Sequence, residues 1–335
     1  MQIKHFIGID VSKDTLDLSV VVEGNNLQHY CIKNSTKEIK STVNRIMKTF
    51  GAVVDDTVFC MEHTGLYNRP IVKWLHNNQG KMWLESGVHI RRTLGLVRGK
   101  NDKIDSSRIA MFAYTNRHQI KLWTPPREVI EGIAALLSQR ARLVKAKKQL
   151  TTANKEQKMF LDKDIMHSLN KYTNRTTAVI DKQVEAIENE IIGLISADEK
   201  LNQMYQIITS INGIGLVTAS YILITTNEFI NISDPKKFAC YSGVVPFEHT
   251  SGSSVRGRNR VSHIANKSMK ALLHLSAIST LNTPGEIQDY YNRKIAEGKN
   301  KMSIINAIRN KLILRIFACI KQNRVYEKNY CYKLA

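Results

Sequence analysis

Four carboxylates stand where chemistry could be done: Asp10, Glu62, Asp102 and Asp105. Asp10 closes the apolar run Phe6-Ile7-Gly8-Ile9-Asp10, and Glu62 follows another, Val58-Phe59-Cys60-Met61. Asp102 and Asp105 are three apart where a helix pattern begins, a spacing that puts both on one helical face. A cluster of carboxylate oxygens is what a hard divalent cation such as Mg²⁺ or Mn²⁺ requires. An acid at the end of a buried strand is costly unless something compensates its charge, and a bound cation does so. Simpler readings stand beside this one. Asp10 could be a capped loop acid, and His63 and Thr64 could hydrogen-bond Glu62. Asp102 or Asp105 could cap the helix that starts there. The neighbouring Arg98, Lys100 and Lys103 would suit a nucleic-acid strand passing the acids.

A second place for chemistry is the polar, basic loop Val245 to Arg260. Ser251 is followed by Gly252, which permits close approach of a phosphodiester, and Arg256, Arg258 and Arg260 could stabilise charge on phosphorus. A hydroxyl is a weak nucleophile until its proton is taken or shielded. The plain alternative is a solvated Ser/Gly loop, and local logic does not separate Ser251 from Ser253 or Ser254. His249 and His263 could move protons, and Tyr290 and Tyr291 could stack or attack, but no supporting Arg/His spacing accompanies them. Ile211-Asn212-Gly213-Ile214-Gly215 reads either as a helix-hairpin-helix turn that offers backbone N–H groups to phosphate or as an ordinary corner between helices.

Three segments must position these residues. Over 1–125, strands are expected at Phe6 to Val11, Leu16 to Val22, Leu27 to Ile32, before Glu62 and at Lys81 to Glu85. Helices are expected from Ser35 or Thr36 to about Phe50, from Tyr67 to Asn77, and from Asp102 or Asp105 onward, giving a mixed-sheet α/β domain. Pro125-Pro126 punctuates the chain, and no glycine lies between Gly132 and Gly193. Long amphipathic helices over 126–200, the second from Thr176 to Ile195, suggest an antiparallel hairpin or a coiled-coil arm for self-association. The segment 201–335 is mainly helical around the serine loop.

The 335 residues carry a formal charge of +20 and are 43% hydrophobic, which favours folded domains with a polyanionic partner, nucleic acid first. From Arg256 to Lys328 there are 15 Lys and Arg against 4 Asp and Glu, a density suited to phosphate contact. None of the five cysteines forms a CxxC pair, which argues against a zinc knuckle and fits a reducing cytoplasm. Neither a signal peptide nor a membrane-spanning apolar run is expected.

Gly8-Ile9-Asp10-Val11-Ser12-Lys13, Met61-Glu62-His63-Thr64-Gly65 and Lys100-Asn101-Asp102-Lys103-Ile104-Asp105 follow one another in an order that resembles the DEDD-type insertion-sequence transposases, which include the Piv DNA invertases. Ile211 to Gly215, Tyr241-Ser242-Gly243-Val244-Val245-Pro246 and Ser251 to Arg258 resemble that family's C-terminal transposase domain, so the resemblance spans nearly the whole chain. It implies a RuvC-like, RNase H-type α/β domain over 1–125, a helical coiled-coil middle over 126–200 and a mainly α transposase domain over 201–335. It implies that Asp10, Glu62, Asp102 and Asp105 bind Mg²⁺, and that Ser251 is the nucleophile of a DNA cleavage and rejoining reaction through a phosphoserine. Lys100, Lys103, Arg256, Arg258, Arg260 and Lys267 would then touch nucleic acid. The resemblance further implies donor and target DNA, a structured bridge RNA as guide, and a dimer or tetramer. Where the family has a more basic stretch, this chain reads Val261-Ser262-His263-Ile264-Ala265-Asn266-Lys267. Two other readings are open. One is a metal-dependent, structure-specific nuclease that uses water. The other is a binding module whose acids are only caps.

Overall fold

The computed structural model describes residues 3–93, 101–251, 255–261 and 265–327. The chain divides into two compact units, Met1–Pro125 and Pro126–Ala335.

The first unit is built on a five-stranded sheet. Its strands are β1 (His5–Val11), β2 (Thr15–Val22), β3 (Asn25–Lys33), β4 (Thr57–Glu62) and β5 (Lys81–Glu85), in the order β3-β2-β1-β4-β5. β1 is antiparallel to β2 and parallel to β4, so the sheet is mixed. Alternation along the strands divides the side chains between two cores. Ile7, Ile9, Leu16, Leu18, Phe59 and Met61 face α1 (Thr36–Phe50) and α2 (Arg69–Asn77), meeting Ile39, Val43, Ile46, Ile71 and Leu75. Ser35 caps α1 through a hydrogen bond from the Glu38 N–H, and Gly51 ends it in the left-handed conformation at φ 59°. Phe6, Val21, Val58, Cys60 and Trp83 face the opposite side and pack with α3 (Gly87–Thr93) and α4 (Asp102–Thr115) through Ile90, Ile109 and Phe112.

α4 lies unusually close to the sheet. A Cβ at Gly8 would fall 2.1 Å from the Ala110 nitrogen and 2.3 Å from the Ser106 carbonyl oxygen, so only glycine admits the helix there. Beside Gly8 on β2, Ser19 is wholly buried and its hydroxyl meets that of Ser106 at 2.8 Å. Tyr114, near the end of α4, packs edge-on against Phe6 at 5.5 Å. The helix therefore runs back along β1, and its first turn lies toward Asp10.

The second unit begins with α5 (Glu128–Gln157) and α6 (Lys163–Ser196), an antiparallel pair. Arg140 pairs with Glu188 at 2.6 Å, and the Asn154 amide donates to Asn170 and Thr173. The second helix starts well before the expected Thr176. The base of this pair (Ile130, Ile133, Leu137, Ile191, Ile195) shares one core with α7 (Glu199–Thr209), α8 (Leu216–Thr226), α9 (Pro235–Tyr241), α10 (Lys267–Leu281), α11 (Glu286–Ala296) and α12 (Lys301–Lys321). Arg127 anchors the start of α5 by binding both oxygens of the buried Glu228 carboxylate, at 2.6 and 2.9 Å, and also Asp198. Gly213, at φ 86°, sits against α10, where a Cβ would fall 2.6 Å from the Ser276 carbonyl. The basic segment expected as a loop is instead largely a β-hairpin, β6 (Phe247–Ser251) and β7 (Val255–Arg260). The loop reading rested on glycine and serine content, which says little about cross-strand pairing. No helix among the described residues is long and apolar enough to cross a membrane.

Gly8→Ala is expected to destabilise the first unit by about 3 kcal/mol, because backbone on both sides of the contact must move. Urea unfolding of the variant against the parent chain measures this, and Gly51→Ala, with no atom within 4 Å of the added Cβ but a left-handed φ of 59°, is the comparison that carries backbone strain without crowding and should cost only about 1 kcal/mol.

Candidate functional site

The site grows from strand register. The last parallel pair of β1 and β4 is Ile9–Met61, so Asp10 and Glu62 stand side by side one residue beyond that pair, each still held in the sheet by its other neighbour strand. Both belong to the face on which α4 packs. The Glu62 strand end is braced by the buried Asn68, whose amide donates to the Glu62 carbonyl at 2.9 Å and accepts from the Thr64 N–H and hydroxyl. Asp102 and Asp105 stand on the first turn of α4, which its close approach to Gly8 carries toward Asp10. The cap of that helix is Asn101, whose side chain accepts from the Lys103 N–H at 2.9 Å, and not Asp102 or Asp105 as one reading held. Asn101 takes up the orphan donor, which leaves both aspartates free of that duty.

The electrostatics of Asp10 record the convergence. Burial, and then the like charges of Asp102, Asp105, Glu62 and Asp17, push its carboxyl up to about 6. Asp105 is held by Arg108 at 2.8 Å, and the Glu62 carboxylate lies against the Gly87 backbone, where a Cβ would fall 2.3 Å from Oε1. Asp102 is exposed. Among the described residues no three acidic, histidine or cysteine side chains form a closed ligand set. The donor chemistry nonetheless fits a hard cation: several carboxylates gathered at one sheet end, one of them with its pKa pushed up by burial and by the others.

Two further acids occupy this row that the first reading of the sequence passed over. Asp17 is the direct cross-strand partner of Asp10, and Glu85 of Glu62. Asp17 is hydrogen-bonded by His29 at 2.7 Å, and Glu85 lies 3.2 Å from His89. The signal for Asp17 was available. The turn that joins β1 to β2, closed by the Ser12 N–H on the Thr15 carbonyl, fixes a hairpin register in which position 10 must face position 17.

Ser251 closes the β6–β7 hairpin opposite Val255. Arg256, Arg258 and Arg260 lie along β7, and their side chains, like that of Ser251, lie outside the described residues, as does Lys100. Lys103 is exposed on the first turn of α4, and Lys267 is exposed at the start of α10. The hairpin is tied at both ends. On the entry side, the Asn306 amide donates to the Val244 carbonyl at 2.7 Å, while the Asn306 oxygen accepts from Arg309, which in turn meets His274 at 2.7 Å. On the exit side, Asn266 donates to the Tyr241 carbonyl and hydroxyl. Gly243, at φ 63°, lets the two sides meet, since a Cβ there would fall 2.7 Å from that of Ala265. Burial, and then Arg309, holds the His274 imidazole below its usual pKa, consistent with Nδ1 accepting from the guanidinium.

Comparison with known proteins bears on both parts. A profile for DEDD-type IS110 transposases, described as Transposase, matches residues 7–162, and one described as Transposase IS116/IS110/IS902 family matches residues 205–292. The chain belongs to the DEDD-type insertion-sequence transposase family. It is 25% identical over 333 residues to the Pilin gene-inverting protein of Moraxella bovis, covering 97% of this chain and 98% of that one. The Pilin gene-inverting protein of Moraxella lacunata matches to the same extent. The insertion element IS110 uncharacterized 43.6 kDa protein of Streptomyces coelicolor is 26% identical over 148 residues, 44% of this chain and 35% of that one. The protein is thus an enzyme of the DNA transposase and recombinase class. DEDD-type transposase domains use divalent metal ions, the class of ion that the acid row suits.

The raised Asp10 has a definite sign in stability. The folded state holds its proton more tightly than the unfolded chain, whose value is near 3.8, so this group's contribution to stability falls as pH rises from about 4 through about 6. Asp10→Asn removes the repulsion. Without divalent cations, the variant is expected to melt a few degrees above the parent chain at pH 7.5, and the difference should vanish below pH 4. Equal melting temperatures at both pH values would contradict the like-charge account.

Proposed function

We propose that this protein cuts and rejoins DNA through a covalent phosphoserine, using Mg²⁺ held by Asp10, Glu62, Asp102 and Asp105. The observation that carries the metal half is the strand register, which places Asp10 and Glu62 side by side beneath the turn that bears Asp102 and Asp105. A central β1 flanked by antiparallel β2 and parallel β4, with acids at its carboxyl end, supports a RuvC-like, RNase H-type domain. Where it is bound, the cation supplies positive charge to a phosphate oxygen and so makes phosphorus more electrophilic.

The chain's own residues do the rest. Ser251, at the closing pair of a hairpin tied down through Val244 and Asn266, offers its hydroxyl to a phosphodiester. Its oxygen bonds to phosphorus, one bridging P–O bond breaks, and the proton lost by serine ends on the departing DNA oxygen as a hydroxyl. Arg256, Arg258 and Arg260 hold negative charge on the phosphate. Attack of a different DNA hydroxyl on the phosphoserine reverses these steps, restores the serine and joins new strands. Lys100, Lys103 and Lys267 add backbone contacts that position DNA or RNA. The two parts lie in different folded units of the chain, and the acids of one subunit act with the serine of another in a dimer or tetramer. Met159 and Phe160, 84% and 85% exposed at the tip of the α5–α6 arm, support self-association through that arm. A structured bridge RNA directs the assembly to donor and target DNA. The names of the Moraxella relatives make inversion of a DNA segment a possible outcome of this chemistry, alongside transposition.

Purified protein mixed with DNA carrying its element ends should form a protein–DNA adduct that survives denaturing electrophoresis. Ser251→Ala should bind DNA but yield no adduct. A normal adduct from this variant would pass the role to Ser253 or Ser254 or end the covalent reading. Asp10→Asn and Asp102→Asn should each lower Mg²⁺-dependent cleavage by roughly a hundredfold or more. Sequencing of co-purified RNA should return one discrete structured species, and random host RNA alone would argue against guidance.

A further inference from the structure

Asp17 faces Asp10 across the β1–β2 pair. It is the register partner of Asp10, its side chain is on the same face of the sheet, and it is 6% exposed. Cross-strand partners hold their Cβ atoms about 5 Å apart. Two side chains of the edge strand fix its carboxylate: His29 at 2.7 Å on Oδ1, and the Cys31 thiol donating to Oδ2 at 3.8 Å. A tie between β2 and β3 could be made by an asparagine, whose side-chain oxygen accepts a hydrogen bond without charge. A second buried carboxylate beside Asp10 is costly in the protein alone; His29 and Cys31 meet part of that cost, and a nearby cation would meet more.

We propose that Asp17 is a fifth acid of the cation site, a positioning residue held by His29, which strengthens the hold of the four-acid cluster on a divalent ion from just outside it. This rests on the reading of Asp10, Glu62, Asp102 and Asp105 as the cation-binding residues. His29 acts as a hydrogen-bond donor that keeps the carboxylate turned in one direction, much as outer partners orient metal ligands in other proteins. The Glu85–His89 pair at the opposite end of the row has the same composition, but it is more exposed and its partner acid Glu62 lies against Gly87.

Mn²⁺ binding to the full chain, followed by electron paramagnetic resonance of the free ion, tests this without reference to activity. Asp17→Asn should weaken Mn²⁺ binding by roughly tenfold, with the circular dichroism of the parent chain and a cation-free melting temperature no lower than its own. His29→Ala should weaken it as well, and His29→Gln, whose amide can still donate to Asp17, should restore most of the loss. A purely structural tie predicts a lower melting temperature for these variants and no change in Mn²⁺ affinity. If Asp10→Asn loses Mn²⁺ while Asp17→Asn binds as the parent does, the assignment of Asp17 is overturned and the four-acid reading stands. If Asp10→Asn binds as tightly as the parent, the four-acid reading falls and takes this inference with it.

Discussion

The contact of α4 with β1 is the constraint on which the acidic site depends. Helix and sheet ordinarily keep a layer of side chains between them, but here Gly8 has none, and Ser19, Ser106 and Ala110 contribute only small ones. Backbone meets backbone, and the helix cannot slide along the strand without losing the Ser19–Ser106 hydrogen bond and the Phe6–Tyr114 contact. That fixed position sets the height of the first helical turn above the sheet end. Asp102 and Asp105 are in reach of Asp10 because four small residues further along are close-packed.

The same closeness leaves the row electrostatically strained. Asp10 is half-buried among four like charges, and burial and their repulsion push its carboxyl up to about 6. The protein relieves part of this itself, through Arg108 on Asp105, His29 on Asp17 and His89 near Glu85. Each of those partners sits on the periphery, so the centre keeps a deficit of positive charge that a divalent cation would meet. The other half of the chemistry is treated in the opposite way. The serine hairpin is anchored at its base by neutral hydrogen bonds and by a buried arginine whose described partners are Asn306 and His274, and no carboxylate is among them.

Much of this was legible before the fold was known, and the gaps have specific causes. β5 falls on Lys81–Glu85 as expected, and Ser35 caps α1, because alternation and capping are local properties. Asn101 was missed as the cap of α4, since several neighbouring polar residues could all serve and only backbone geometry chooses among them. The hairpin under Ser251 was read as a loop because glycine and arginine content hides a pairing that depends on the partner strand. The second helix of the arm begins at Lys163, earlier than its apolar periodicity suggested, because the Asn154 amide on Asn170 and Thr173 and the buried Met166 hold turns that carry few apolar residues.

The sequence by itself determined which chemistry was available: four acids at strand and helix ends, a serine among arginines, and a basic chain suited to nucleic acid, all in the motif order of one transposase family. Residue types and local spacing suffice for that, because they specify donors, charges and elements. Only the tertiary structure decided that Asp10 and Glu62 stand together at the ends of adjacent strands, that Asp17 faces Asp10, and that Gly8 sets how near α4 may come. Those facts depend on register and on interatomic distance between segments far apart in the chain, and neither quantity is carried by any one segment alone.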